Sequence, residues 1–238
     1  MALLFWAVPF LGFAPYDFGA WVGPWYRQIL AEGQIGAFAE PFGNYTPPYL
    51  YLLSASTALD GLLSPLAVIK LLSTFGAAWV AFGIYTLLRA ANAPDPAKAA
   101  LWSMLLPTII FNVPILAQAD TFWVAPCLLA VAAAIRGNSL RMTVWAGVAV
   151  AFKAQAVFIA PFVMAYLLQR RAPLWYWAIP ALIYAAAMTP AWLAGWPAGR
   201  LAGAGSFAHL FPPSGLYDEG RVRQQRRQLV ASVQTDFP

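Results

Sequence analysis

Few polar groups in this chain sit where they could do chemistry. Asp17, Lys70, Asp120, Lys153 and Gln155 border or interrupt long apolar runs. Ionisable groups are costly in such surroundings and mark a functional site by default. Lys70 and Lys153 supply ammonium groups of the kind that hold phosphate oxygens. Asp17 or Asp120 supplies a carboxylate that could take the proton from an attacking hydroxyl. Each residue also has a plainer reading. Lys70 could only snorkel, and Asp120 and Lys153 could only pair with each other. A depth shared by all of them favours a site, and that depth depends on the helices that carry them.

The chain has 238 residues, 61% hydrophobic and 10% charged, with a mean hydropathy of +0.64. A soluble domain carries about 25% charged residues, so this chain lacks the material for a polar surface. Its long apolar stretches read as helices in lipid, with the lipid bilayer as a partner. The 11 Trp and 10 Tyr suit the headgroup level, and the 20 Pro suit short or kinked membrane helices. The net charge of +5 is read by its location along the chain and not as a nucleic-acid signal.

Several other chemistries have no foothold in the sequence. There is no GxGxxG, no Walker loop, no metal-spaced His/Cys cluster and no Ser/His pair. His209 stands alone in a Gly- and Pro-rich tail. The single Cys127 excludes an intramolecular disulfide and reads as a small apolar helix residue.

Residues 66–90, 99–117, 121–135 and 174–196 read as spans, and residues 1–15 as a short first span without the basic start of a signal peptide. Three short loops are basic: Arg89 with Lys98, Arg136 with Arg141, and Arg170 with Arg171. The positive-inside rule sets all three in the cytoplasm. Asp120 then lies on the outer face. Residues 142–168 begin and end on the cytoplasmic side, so they are expected to form a hairpin of two short helices with Lys153 at its outer tip. One straight span would instead bury that ammonium near mid-bilayer, at ~2.5–3.5 kcal/mol. By the same parity residues 16–65 form a long outer segment lying along the membrane. Its aromatic side chains could stack on sugar faces or hold a prenyl chain. The expected architecture is all-α: a polytopic bundle of about seven membrane helices in residues 1–196, followed by an irregular basic tail, 197–238. Asp17, Lys70, Asp120, Lys153 and Gln155 all fall near its outer face.

Three blocks of the chain carry a family resemblance. The first runs from Asp17-Phe-Gly-Ala-Trp through Pro24-Trp25-Tyr26 to Asn44-Tyr45-Thr46-Pro47-Pro48-Tyr49. The others are Gln118-Ala-Asp120 and Phe152-Lys153-Ala-Gln155. Together, and in this order, they resemble the bacterial GT-C superfamily of glycosyltransferases, the relatives of protein O-mannosyltransferases. The resemblance covers roughly residues 15–196. It implies an inverting hexosyltransferase, mannosyl-like, that draws its sugar from a polyprenyl-phosphate carrier on the extracytoplasmic side of a bacterial plasma membrane. The first-loop Asp of that family is its base, which maps onto Asp17. Lys70, Asp120 and Lys153 match cavity-lining positions, and Tyr45, Gln118 and Gln155, from the same blocks, join them as expected substrate-binding residues. The resemblance implies no cofactor and leaves a divalent metal open. The acceptor is unknown.

Family members usually continue well past this length, so a truncated member, or a non-catalytic remnant, is one alternative. A transporter is another. It should show two related halves and polar groups near mid-membrane, whereas this sequence shows no repeat and gathers its polar groups at one face.

Overall fold

The structure, a computed structural model, describes residue 10, residues 12–43 and residues 45–196. Most of the expected first span, Asn44, and the whole of the expected tail with His209 lie outside the described residues. Among the described residues the chain is helical, with no strand beyond one isolated bridge between Asp60 and Leu63.

Nine α-helices follow in order: α1 (Gly23–Glu32), α2 (Pro47–Ser56), α3 (Pro65–Ala90), α4 (Pro96–Ser103), α5 (Pro107–Ile110), α6 (Thr121–Ile135), α7 (Ser139–Phe152), α8 (Ala160–Gln169) and α9 (Trp175–Ala194). Six of the nine carry Pro in their first two positions. There the missing N–H is no loss and the fixed φ suits the helix. Within the helices, proline more often starts an element than interrupts one; Pro114, Pro126, Pro180 and Pro190 are the interior exceptions among the described residues.

α3 and α9 are long and apolar enough to cross a membrane. α4 and the segment Pro107–Ile115 together form a third candidate, bent by 55°. The sequence suggested one continuous span there. Pro107 divides it, because the residue before a proline is driven out of the helical region, and Leu106 accordingly has ψ of 133°. α6, α7 and the segment Ala154–Gln169 are apolar but shorter, at 10–17 residues. By length the described residues therefore supply two or three spans, fewer than the seven expected.

Glycines set how the long helices pack. A Cβ on Gly76 would lie 2.1 Å from Thr121 Oγ1, and one on Gly83 would lie 3.1 Å from Leu128 Cβ and 3.2 Å from the Ala125 carbonyl. Positions rise together along both helices, so α3 and α6 run parallel in close contact. Arg136, just past α6, donates to the Thr86 carbonyl at 3.3 Å. The chain leaves α3 at one end and enters α6 at the other, so residues 91–120 carry it back across despite their bend.

The expected break at Lys153 is present. α7 ends at Phe152, Lys153 is extended (φ −157°, ψ 128°), and a 3-10 turn, Ala154–Ile159, leads into α8. Met142 and Ala146 share a buried cluster with Val163 and Leu167. The Tyr166 hydroxyl donates to the Ala134 carbonyl at 3.0 Å. The far end of α8 thus returns to the level of the α6–α7 turn, as a hairpin requires.

Residues 16–65 pack as a layer on the opposite end of the bundle. Trp25, Tyr26, Phe38, Phe42 and Tyr49 are all at most 7% exposed and share one core with Phe122 and Trp196. These rings are interior packing. The expectation that the segment's aromatics present their faces to a ligand does not hold for them, because burying a large ring outweighs leaving it at a surface.

Candidate functional site

Asp17 lies just before a short π-helix, Phe18–Val22. A second π-helix, Phe111–Ile115, leads into Gln118. π segments are rare and recur at functional sites. After the second, Ala117 adopts φ of +53°, a left-handed conformation that L-residues seldom hold, and the Gln118 amide reaches back to the Asn112 carbonyl at 2.8 Å. These local distortions turn the Gln118 side chain towards Asp17. Its Nε2 donates to Asp17 Oδ2 at 3.3 Å.

Asp17, Gln118 and Tyr45 line a depression with about 290 Å³ of free space, part of it open to solvent, whose floor includes Ile69 and Ala117. Tyr45 is its hinge point. Burial, then the negative charges of Asp120 and Asp17, push the Tyr45 phenol up to about 12, so the hydroxyl stays a neutral donor. The Lys153 ammonium sits 5.1 Å from the centre of the Tyr45 ring, within cation–π range.

On the other side of Tyr45, Lys153 forms an ion pair with Asp120 Oδ1. The same oxygen accepts from Trp123 Nε1 at 3.0 Å. Both partners of the pair stay partly open, with side chains 19% and 33% exposed. The break that frees Lys153 is held from outside: the Thr46 hydroxyl donates to the Phe152 carbonyl at 2.6 Å. Thr46 precedes α2, where a threonine normally caps its own helix, yet it makes no such cap.

The structure thus brings five of the seven expected residues together: Asp17 with Gln118, Asp120 with Lys153, and Tyr45 between the pairs. Lys70 is set apart from both carboxylates. It is 1% exposed on α3; its ammonium donates to the Phe10 carbonyl and lies 5.8 Å from the Phe13 ring. Its neighbour Ile69, not Lys70, reaches the depression. Gln155 is exposed on the 3-10 turn, where no contact joins it to the others.

Sequence reasoning passed over Thr46, Trp123 and Ala117. Trp123 had a signal, since residues three apart on a helix are neighbours. Thr46 had only its place in the first resembling block, and Ala117 had none. The first acts across the fold and the second through its backbone.

Among the described residues, no three of His, Cys, Asp and Glu cluster as metal ligands. The chain matches no protein-family model, no curated protein and no solved structure.

Proposed function

We propose that the chain is a membrane glycosyltransferase of GT-C type, moving a hexose from a polyprenyl-phosphate carrier to an acceptor hydroxyl with inversion. The observation that carries this reading is the paired arrangement around Tyr45. A carboxylate oriented by an amide, Asp17 with Gln118, stands beside a partly exposed ammonium, Lys153, that is tied to a second carboxylate.

In this reading Gln118 occupies Asp17 Oδ2 and leaves the other oxygen to take the acceptor proton. Lys153 has two further N–H donors beyond its bond to Asp120, and these meet the carrier phosphate as charge builds on the leaving oxygen. Tyr45 donates to the same oxygens. Asp120 holds Lys153 in place.

Of the seven crossings of this reading, six lie in the described residues: α3, the bent pair α4–α5, α6, α7, α8 and α9, with α7 and α8 as a hairpin. The site end then faces the extracytoplasmic side of a bacterial plasma membrane, and the three basic turns face the cytoplasm.

The test is direct. Membranes containing the chain are supplied with radiolabelled polyprenyl-phosphate hexoses, and the products are separated. Transfer that requires both the chain and the carrier-linked sugar supports the reading. Absence of transfer from every such donor, with the protein folded in the membrane, removes it.

A further inference from the structure

Three turns converge at the end of the bundle away from Asp17, and they carry six cations: Arg89, Lys98, Arg136, Arg141, Arg170 and Arg171. The bond from Arg136 to the Thr86 carbonyl joins the first turn to the second. The bond from Tyr166 to Ala134 joins the third to the second. All six cations are exposed. Asp95 is the one carboxylate on these turns among the described residues, so this end carries a net charge of +5. At the site end Asp17, Glu32, Glu40, Asp60 and Asp120 stand against Arg27, Lys70 and Lys153, a net charge of −2. None of the six cations forms an ion pair among the described residues, where the Asp120–Lys153 pair stands alone.

Two features say what kind of anion this end meets. The first is depth. Nineteen residues of α3 separate Lys70 from Arg89, a rise of about 28 Å, close to the ~30 Å of a hydrocarbon core. Large apolar side chains are exposed among the cations: Trp102 at 61%, Leu168 at 66%, Leu174 at 86% and Trp175 at 56%. A surface that mixes bare Trp and Leu with guanidinium groups belongs at the headgroup level and not in open water. The second feature is how the guanidiniums are held. Arg89 lies 5.8 Å from the centre of the Tyr85 ring and donates to its hydroxyl at 3.2 Å. Arg170 lies 5.4 Å from the centre of the Tyr166 ring. Each ring backs a planar cation that keeps free N–H groups for a phosphate.

We propose that this end of the bundle binds the phosphates of anionic phospholipids, with Arg89, Arg136 and Arg170 as the principal contacts. A charge bias that only orients the chain during insertion has done its work once threading ends. Unpaired guanidiniums backed by rings at headgroup depth persist as a binding surface. The proposal rests on the membrane reading but not on any transferase activity.

The test uses the full chain in phosphatidylcholine bilayers containing a minority of phosphatidylglycerol. Spin-labelled versions of the two lipids report the fraction held immobile against the protein. At low salt the chain should retain phosphatidylglycerol several-fold over phosphatidylcholine, and the preference should shrink as salt rises. The triple variant Arg89→Gln, Arg136→Gln, Arg170→Gln should bring the ratio close to one, while Arg27→Gln, at the other end, should leave it unchanged. Circular dichroism confirms that each variant keeps its helices; a variant that loses them is set aside, and the wild-type ratio with its salt dependence then decides. Equal retention of the two lipids by the wild-type chain overturns the proposal. So does an unchanged ratio in a helical triple variant. Loss of the preference in inorganic phosphate, but not in chloride of equal ionic strength, would reassign the surface to free phosphate.

Discussion

The Tyr51 hydroxyl bridges a helical hydrogen-bond position in α9, donating to the Ala187 carbonyl at 3.2 Å and accepting from the Ala191 amide at 2.9 Å. The two backbone groups are an i, i+4 pair beside Pro190, whose ring crowds the preceding turn and which has no N–H of its own. Tyr51→Phe keeps the ring packing and removes both bonds. It should lower stability by ~1–3 kcal/mol. The midpoint of thermal unfolding in detergent measures this, and an unchanged midpoint would show that α9 closes the position unaided.

Under the proposed transferase reading, Asp17→Asn should leave the fold and donor binding largely intact and cut turnover ~10²-fold or more, the usual worth of a general base. Asn still accepts from Gln118 but takes no proton at neutral pH. Asp120→Asn should act instead on donor affinity, because it loosens Lys153. Steady-state kinetics with a carrier-linked sugar separates the two. Near-normal turnover in Asp17→Asn beside an inactive Asp120→Asn would move the base to Asp120.

Gly76→Ala sets a methyl 2.1 Å from Thr121 Oγ1. Overpacking of this kind costs about 1–3 kcal/mol. Adding Thr121→Ala removes the nearest atom but leaves Cβ at 3.0 Å, so the double variant should recover only part of the loss. A double-mutant cycle on unfolding midpoints reads the coupling; strictly additive losses would contradict the close approach of α3 and α6.

The two ends of the bundle should label from opposite sides of the membrane. Leu62, 80% exposed in the layer at the site end of the bundle, and Leu174, 86% exposed in the third basic turn, are suitable cysteine positions once Cys127 is replaced by Ala. An impermeant maleimide added outside cells should modify position 62 and spare 174. The reverse pattern would invert the topology.

Alkaline titration should reveal Tyr45. Its phenol is held up at about 12 against an ordinary 10, so the folded state keeps a proton that the unfolded chain gives up first. That contribution is complete below pH 10 and is lost as pH rises towards 12. Tyr45→Phe should flatten part of the alkaline fall in the unfolding midpoint. The same slope in wild type and variant would mean that Tyr45 is not shielded.

Helices were legible where one force acted alone. Apolar length located α3 and α9, and the cost of a stranded ammonium located the break at Lys153. Charge and parity set Asp120 and Lys153 at one depth, and their direct pairing is the plainer of the two readings open there. Pro107 is a breaker by its chemistry, but the apolar run that continues on both sides of it masks the division. Lys70 was misplaced because depth along a helix does not say which way a side chain turns, and its partner is a backbone carbonyl that carries no sequence signal. The aromatics of residues 16–65 were assigned to the surface by the preference of Trp and Tyr for interfaces, whereas the layer they form has a core of its own to fill.

The Asp120–Lys153 pair also orders events in time. Thirty-three residues separate the partners, so at ~5–20 residues per second the carboxylate is synthesised roughly 2–7 s before its cation exists. Thr46 waits longer still, since the Phe152 carbonyl it holds comes 106 residues later. During that interval α3 and α6 can already meet through Gly76 and Thr121, with an unpaired charge at their rim. The site therefore closes late in biogenesis, and a chain stalled before residue 153 would expose Asp120 as a recognisable mark of unfinished assembly.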